Sequence, residues 1–454
     1  MKTMTLYEIA SACNGQIICD RDCKNDIVSD ISIDSRNIHE GTLYIPIKGA
    51  RFDGHDFIDS VFESGAVCTL TEKEPSCTSK PHISVKSTAQ ALKDIAEYYR
   101  SLFDNLTVVG ISGSSGKTST KEMIYSVLSE SFNVLKTEGN LNNEIGVPRT
   151  LFRIGEEHDI AVVEMGINHF DEMTRLAKMV RPDIGVITNI GTAHLEFLGS
   201  RDGILKAKTE MLPFIKENGT AVLNGDDDQL CTVDFKNTCF FGIGNQNAYH
   251  AQNIEQCGIE GTKFDIVTPE GTVNAFVPAL GNHMVMNALC AFAIGKKLGM
   301  STEKIISGIR NFKNIDGRFN VIKTQSFTLI NDCYNANPDS VKASLKVLGS
   351  LDGNRTAILA DMKELGENSS KMHLDTGKTA SSLVDRLICI GDDARYIADG
   401  ALSENADLQV FHFNNNNEAM EKLPDILCKN DTILIKGSHS MNLSEITEFL
   451  KNMD

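Results

Sequence analysis

A three-domain α/β fold is predicted from three observations. Strand-like apolar runs alternate with apolar-faced helical stretches from about residue 104 onward. The first of these strands runs into a Gly/Ser loop and a Lys-Thr pair. The 454-residue chain is also too long for one hydrophobic core. Such alternation calls for parallel sheets covered by helices on both faces.

Residues 1–103 read as a small mixed α/β unit. Ile31-Ser32-Ile33 alternates and Leu43–Ile47 is almost wholly apolar, as strands are, and Ala89–Phe103 is helical. The central unit, 104–315, has strands at Thr107–Ile111, Ile160–Glu164, Ile184–Thr188 and Ala221–Leu223. Helices are expected at Glu172–Val180, Ile204–Phe214 and His283–Leu298. After Gly317-Arg318 a second series begins, with strands Thr328–Ile330, Ala357–Ala360, Leu387–Ile390, Val410–Phe413 and Thr432–Ile435, separated by helices such as Ser340–Leu348. The third unit, 316–454, is therefore a smaller, Rossmann-like α/β domain, in which Asn414–Asn417 reads as a turn. Ligands bind where the strands of such sheets open into loops. Glu164, Asn189, Asp332 and Asp361 all fall at those ends.

The loop itself is Gly113-Ser114-Ser115-Gly116-Lys117-Thr118-Ser119. Its glycines let backbone N–H groups close around a polyphosphate, and the following helix N-terminus adds favourable partial charge. Lys117 suits the β- and γ-phosphates, and the Thr118 hydroxyl suits a magnesium ion. The spacing departs from the common phosphate-loop pattern: five residues before Gly116 stands Ile111, with the glycine at Gly110. A Gly/Ser turn capping an ordinary helix has the same composition. The strand before it and the helix after it favour a phosphate loop.

Composition narrows the partners. Apolar and charged contents of 41% and 23% are ordinary for a globular protein. A net charge of −17 speaks against nucleic acid or an anionic membrane surface. No signal peptide or membrane span is read at the N-terminus. The 12 cysteines are scattered without a CxxC pair, and Cys13, Cys19 and Cys23 fit no zinc spacing. Buried thiols in a reducing cytoplasm are expected.

With these residues in view the chain resembles the Mur ligase superfamily over nearly its whole length. The likeness rests on Gly110–Thr120, the Thr137–Pro148 run containing Asn-Leu-Asn-Asn-Glu-Ile-Gly, Glu164-Met165-Gly166, Asn189–Glu196 and Ala207-Lys208-Thr209-Glu210. In the third unit it rests on Asp332–Pro338 with its Tyr-Asn-Ala-Asn-Pro, Asp361–Gly366 and Lys436-Gly437-Ser438. The resemblance implies an ATP-dependent ligase working through an acyl phosphate. Its branch joins D-alanyl-D-alanine to UDP-N-acetylmuramoyl-tripeptide for peptidoglycan synthesis. It also implies a UDP-binding first domain, two magnesium ions and a carbamylated Lys208. No protein partner is called for, and a monomer is expected.

Roles carry over by position. Lys117, Glu164, His194, Lys208 and Arg318 would be catalytic, and Thr118, Glu164, His194 and Lys208 would meet metal. Asn287 would meet adenine, Arg318 the phosphates and Asp332 the ribose. Family members often carry G-x-H-N-x-x-N, but Met284 replaces the first of these asparagines. Ser35 and Arg36, with the Lys48–Phe57 loop, would hold the UDP end. Asn140 and Asn143 would position the peptide carboxylate, and Asn335, Asn337 and Asp361 the incoming dipeptide. On residue type alone, Lys208 reads equally as a solvated helix lysine, His194 as a buried structural histidine and Asn287 as a surface residue. Another Mur-type or folylpolyglutamate-type ligase is the alternative within the class. A nucleotide-gated switch is the alternative outside it.

Overall fold

The computed structural model describes residues 1–49, 51–75 and 78–453. Ala50, inside the predicted Lys48–Phe57 loop, lies outside the described residues.

A nine-stranded sheet forms the centre. Its order is 271–277, 262–268, 249–256, 238–242, 220–224, 184–187, 107–112, 160–164 and 134–136. The strands from 249–256 to 134–136 pair in parallel. Thr107–Ser112 and Ile160–Glu164 are paired on both sides, and their apolar, β-branched residues are buried on both faces. Helices Lys117–Leu128 and Asn282–Lys297 pack Met123, Val127, Ala288 and Phe292 on one face. Helix Glu172–Val180 packs Met173, Leu176 and Val180 on the other.

Two features of this domain depart from expectation. The predicted Ile204–Phe214 helix is instead Arg201–Thr209 followed by a 3-10 turn at Leu212–Phe214. Pro213 lacks an N–H and disfavours helical backbone in the residue before it. The antiparallel strands Thr262–Thr268 and Gly271–Val277 extend the sheet at one edge without having been read from the sequence. Exposed polar residues such as Asn253, Glu255 and Asn274 interrupt the apolar pattern there.

The first domain has a five-stranded sheet in the order 16–18, 82–84, 68–71, 42–44 and 30–32. The Leu43–Ile47 run pairs only over Thr42–Tyr44, just ahead of Pro46. Helix Thr88–Ser101, capped by Ser87, buries Ile95 and Tyr99 in the same core as Leu151 and Phe152 of the central domain. The Tyr99 hydroxyl donates to the Ile154 carbonyl at 2.6 Å.

The third domain carries a six-stranded sheet in the order 320–323, 328–331, 432–436, 355–360, 386–390 and 409–413. It is parallel except for its first pair. The Asn414–Asn417 run is only partly a turn. Asn415 accepts from Glu418 N and caps helix Asn416–Ile426, a task for which asparagine is as well suited as for turns. At the opposite end of the sheet Arg386 donates to the fully buried Asp431 at 2.6 Å. Arg386→Met leaves that carboxylate without its cation and should cost about 3–5 kcal/mol. Chemical denaturation of the domain's transition would measure it.

Candidate active site

The phosphate loop is shaped by its glycines. Gly113 and Gly116 have φ of +148° and +76°, which side chains disfavour. A Cβ on Gly113 would stand 1.9 Å from Thr188 Oγ1. Gly116 ends the loop as the cap of helix Lys117–Leu128, leaving that helix's first N–H groups open. The next strand end holds the loop from outside. Thr188 Oγ1 donates to the Ser115 carbonyl at 2.7 Å, and Ser115 N donates to Asn189 Oδ1 at 3.0 Å.

A cleft of about 1130 Å³ opens above the loop, between the central and third domains. Ser114, Ser115, Gly116, Lys117, Thr118, Ser119, Glu164, His194 and Asn287 line it from the central domain, together with Asn140 and Asn143. Arg318, Asp332, Asn335 and Asn337 line it from the other side. Thr192 N and Oγ1 donate to Asp339 Oδ2 across the domains at 2.9 and 2.8 Å, and His194 Nδ1 lies 2.9 Å from Glu364 Oε2. Asp339→Ala removes two bonds to a charged acceptor and should lower turnover about tenfold by opening the cleft. Small-angle scattering of the nucleotide-bound protein should show a larger radius of gyration.

Inside the cleft Lys117 Nζ donates to the Gly113 carbonyl at 2.8 Å. Burial and the nearby Arg318 charge push its pKa down, while Glu164 pulls it up. Arg318 stacks on Tyr334 at 3.9 Å. Glu164 is 2% exposed. Its Oε1 accepts from Thr118 Oγ1 at 3.2 Å and from Asn142 Nδ2 at 2.8 Å, while its buried Oε2 accepts no hydrogen bond. A hydroxyl and a carboxylate with free lone pairs, facing a phosphate loop, fit a hard divalent cation. Among the described residues no cluster of three or more His, Cys, Asp and Glu stands ready as a metal cage. Phosphate oxygens would have to complete the coordination.

Lys208 lies behind the lining. It occupies the buried side of helix Arg201–Thr209 with Ile204 and Ala207, whereas Lys206 is exposed, 5.8 Å above the Phe170 ring. Among the described residues no hydrogen bond or ion pair reaches the Lys208 ammonium. Burial, reinforced by the Lys117 charge, drives its pKa well below the ordinary lysine range.

Several site residues are engaged in ways their sequence did not disclose. Asn287 is buried, with Oδ1 accepting from Thr120 Oγ1 at 2.8 Å, rather than lying on the surface. Asp332 Oδ2 accepts from Ser344 Oγ and pairs with Lys436 Nζ, both at 2.7 Å. Asn143 Oδ1 accepts from Ile145 N and Gly146 N, so it shapes the turn, while its neighbour Asn142 reaches Glu164. Asn337 caps helix Pro338–Gly349, and Asn335 Oδ1 accepts from Ala336 N.

Other expected site residues lie outside the cleft. Asp361 is buried, bonded to Lys363 Nζ and Ala394 N, and does not line it. Ser35 and Arg36 lie in the first domain and do not line it either, and Arg36 is exposed and clasps Asp34.

A phosphate loop, a buried acid beside it and a third domain bringing an arginine to the same cleft define a nucleotide-dependent enzyme whose site is shared between two domains. Family models narrow this class. The Mur ligase middle domain matches residues 111–295, the Mur ligase glutamate ligase domain 317–439, and the Mur ligase family catalytic domain 28–100. The chain belongs to the Mur ligase family. It is 37% identical to the UDP-N-acetylmuramoyl-tripeptide–D-alanyl-D-alanine ligase of Bacillus subtilis (strain 168), over 93% of both chains. It is 34% identical to the enzyme of the same name from Escherichia coli (strain K12), over 99% of both. A crystal structure of MurF from Acinetobacter baumannii superposes with a TM-score of 0.91 at 31% identity, covering 99% of each chain. MurF from Thermotoga maritima in complex with ADP gives 0.84 at 27% identity, covering 93% of this chain and 97% of that one.

Proposed function

We propose that this protein is an ATP-dependent ligase joining D-alanyl-D-alanine to the tripeptide carboxylate of UDP-N-acetylmuramoyl-tripeptide. The product is the UDP-linked pentapeptide of peptidoglycan synthesis, and the reaction belongs to the cytoplasm. The observation that carries the reading is the meeting of Lys117, Thr118, Glu164 and Arg318 in one interdomain cleft. Residues 1–103 hold the UDP end with Ser35 and Arg36, residues 104–315 hold ATP, and residues 316–454 close over both.

Lys117 and Arg318 draw charge from the γ-phosphate as its bond to ADP breaks and a substrate carboxylate oxygen takes the phosphorus. The dipeptide amine then attacks the acyl carbon. Phosphate leaves, carrying that carboxylate oxygen, and the amine loses its proton. Thr118 and Glu164 hold a magnesium ion, which when bound shields the phosphate charges. His194 and Lys208, the latter as its carbamate, would hold a second. Asn140 and Asn143 border the carboxylate's place, Asn335 and Asn337 the dipeptide's, and Asp361 supports the latter from behind. Domain closure keeps water from the acyl phosphate.

The tripeptide, labelled with heavy oxygen in its terminal carboxylate, should pass one labelled atom into released phosphate, read by mass spectrometry. Release should require D-alanyl-D-alanine. Unlabelled phosphate, or steady hydrolysis indifferent to the dipeptide, would overturn the reading.

A further inference from the structure

Lys121 is a buried cation without a part in the chemistry above. Only 1% of its side chain is exposed, and it lies one helical turn beyond Lys117. Its Nζ stands 3.7 Å from Glu164 Oε2, the oxygen that accepts no hydrogen bond, and 3.3 Å from Glu122 Oε1. Glu122 is shared with Lys136, whose ammonium sits 4.1 Å over the Tyr125 ring. Glu164 Oε1 is turned the other way, toward Thr118 and Asn142. The single carboxylate offered to a divalent cation is thus already half neutralised by a resident ammonium.

We propose that Lys121 is a positioning residue that makes cation binding at Glu164 conditional on nucleotide. The inference rests on the metal seat proposed above. In a poorly screened site, repulsion between the ammonium and an arriving divalent ion is large. One carboxylate and one hydroxyl overcome it only weakly. The several charges of a nucleotide's phosphates overcome it, so the ion enters with the triphosphate. Lys121 also keeps Glu164 Oε2 engaged while the cleft awaits its nucleotide, which holds the carboxylate in place.

The test uses Mn²⁺ alone, followed by electron paramagnetic resonance on the full-length protein, without and with ADP. Without nucleotide, Lys121→Met should bind Mn²⁺ about tenfold tighter than the parent, while Lys121→Arg, which keeps the charge, stays within about threefold of it. With ADP the Met variant should also lie within about threefold of the parent. Added Mn²⁺ should raise the melting temperature of Lys121→Met more than that of the parent. Parent-like Mn²⁺ affinity in Lys121→Met without nucleotide overturns the proposal. If that variant does not fold, Glu122→Gln takes its place. It leaves the Lys121 charge less compensated and should weaken nucleotide-free Mn²⁺ binding at least threefold, roughly, and an unchanged affinity overturns the proposal. Glu164→Gln separates the two layers. Loss of Mn²⁺ binding with ADP upholds the metal seat, whereas its persistence removes the seat and this inference with it.

Discussion

Lys117→Ala should lower kcat by roughly 10²–10³-fold, with the fold intact by circular dichroism. The ammonium sits at the first turn of the loop helix, held against the Gly113 carbonyl and close enough to Arg318 for the two cations to oppose each other. Two like charges brought together out of water are costly until an anion arrives between them. That cost is relieved most by the most highly charged state of the phosphates. Differential stabilisation of this kind accelerates the chemical step rather than merely tightening substrate binding. Lys117→Arg should not restore the rate, because a planar fork does not replace a point charge held against the Gly113 carbonyl. Stopped-flow release of phosphate, measured at saturating ATP, separates this from weakened binding. A variant that lost only affinity would regain its rate at high ATP.

How far the sequence discloses such a site depends on the kind of neighbour each residue needs. Lys117 and Thr118 were legible because their partners are local: a strand, two glycines and a helix start lie within about a dozen residues. Glu164 was legible as the polar end of a buried strand. Only the resemblance over Ala207-Lys208-Thr209-Glu210 singled out Lys208 from Lys206; two residues on a helix turn the side chain by about 200°, and in the fold Lys208 is the one on the buried side. Asn142 was not legible. Within Asn140-Leu141-Asn142-Asn143 nothing local says which amide meets the acid, and the choice is made by a turn that consumes Asn143. Lys121 was hidden for the opposite reason. A lysine four residues into an amphipathic helix reads as solvated until the strand bearing Glu164 is laid beside it. Asp361 shows the limit of strand-end reasoning. It stands where ligands bind in such sheets, yet its carboxylate is taken up by Ala394 N and Lys363.

Lys208→Ala should lose activity by roughly 10²-fold or less, but not below about tenfold, and a short carboxylic acid such as acetate should return part of it. A lysine buried on the same side of its helix as Ile204 and Ala207, with Lys117 nearby, is driven toward its uncharged form. The uncharged amine has the lone pair that adds carbon dioxide. The new N–C bond gives a carbamate, one proton departs, and a group that was destabilised as a cation becomes an anion. The same Lys117 charge that disfavours the ammonium then favours the carbamate. Glu210, two residues on, is not available for this task, because its carboxylate already accepts from Asp171 N, Thr174 N and Thr174 Oγ1. Truncation to alanine leaves a space into which a free carboxylate can enter beside Lys117. Rescue should therefore saturate with acid concentration and fail with a neutral amide of equal size. In the parent protein, ¹³C-bicarbonate should yield a carbamate resonance that Lys208→Ala lacks. A rate unaffected by the substitution, or a resonance that persists without Lys208, would place the anion on another residue.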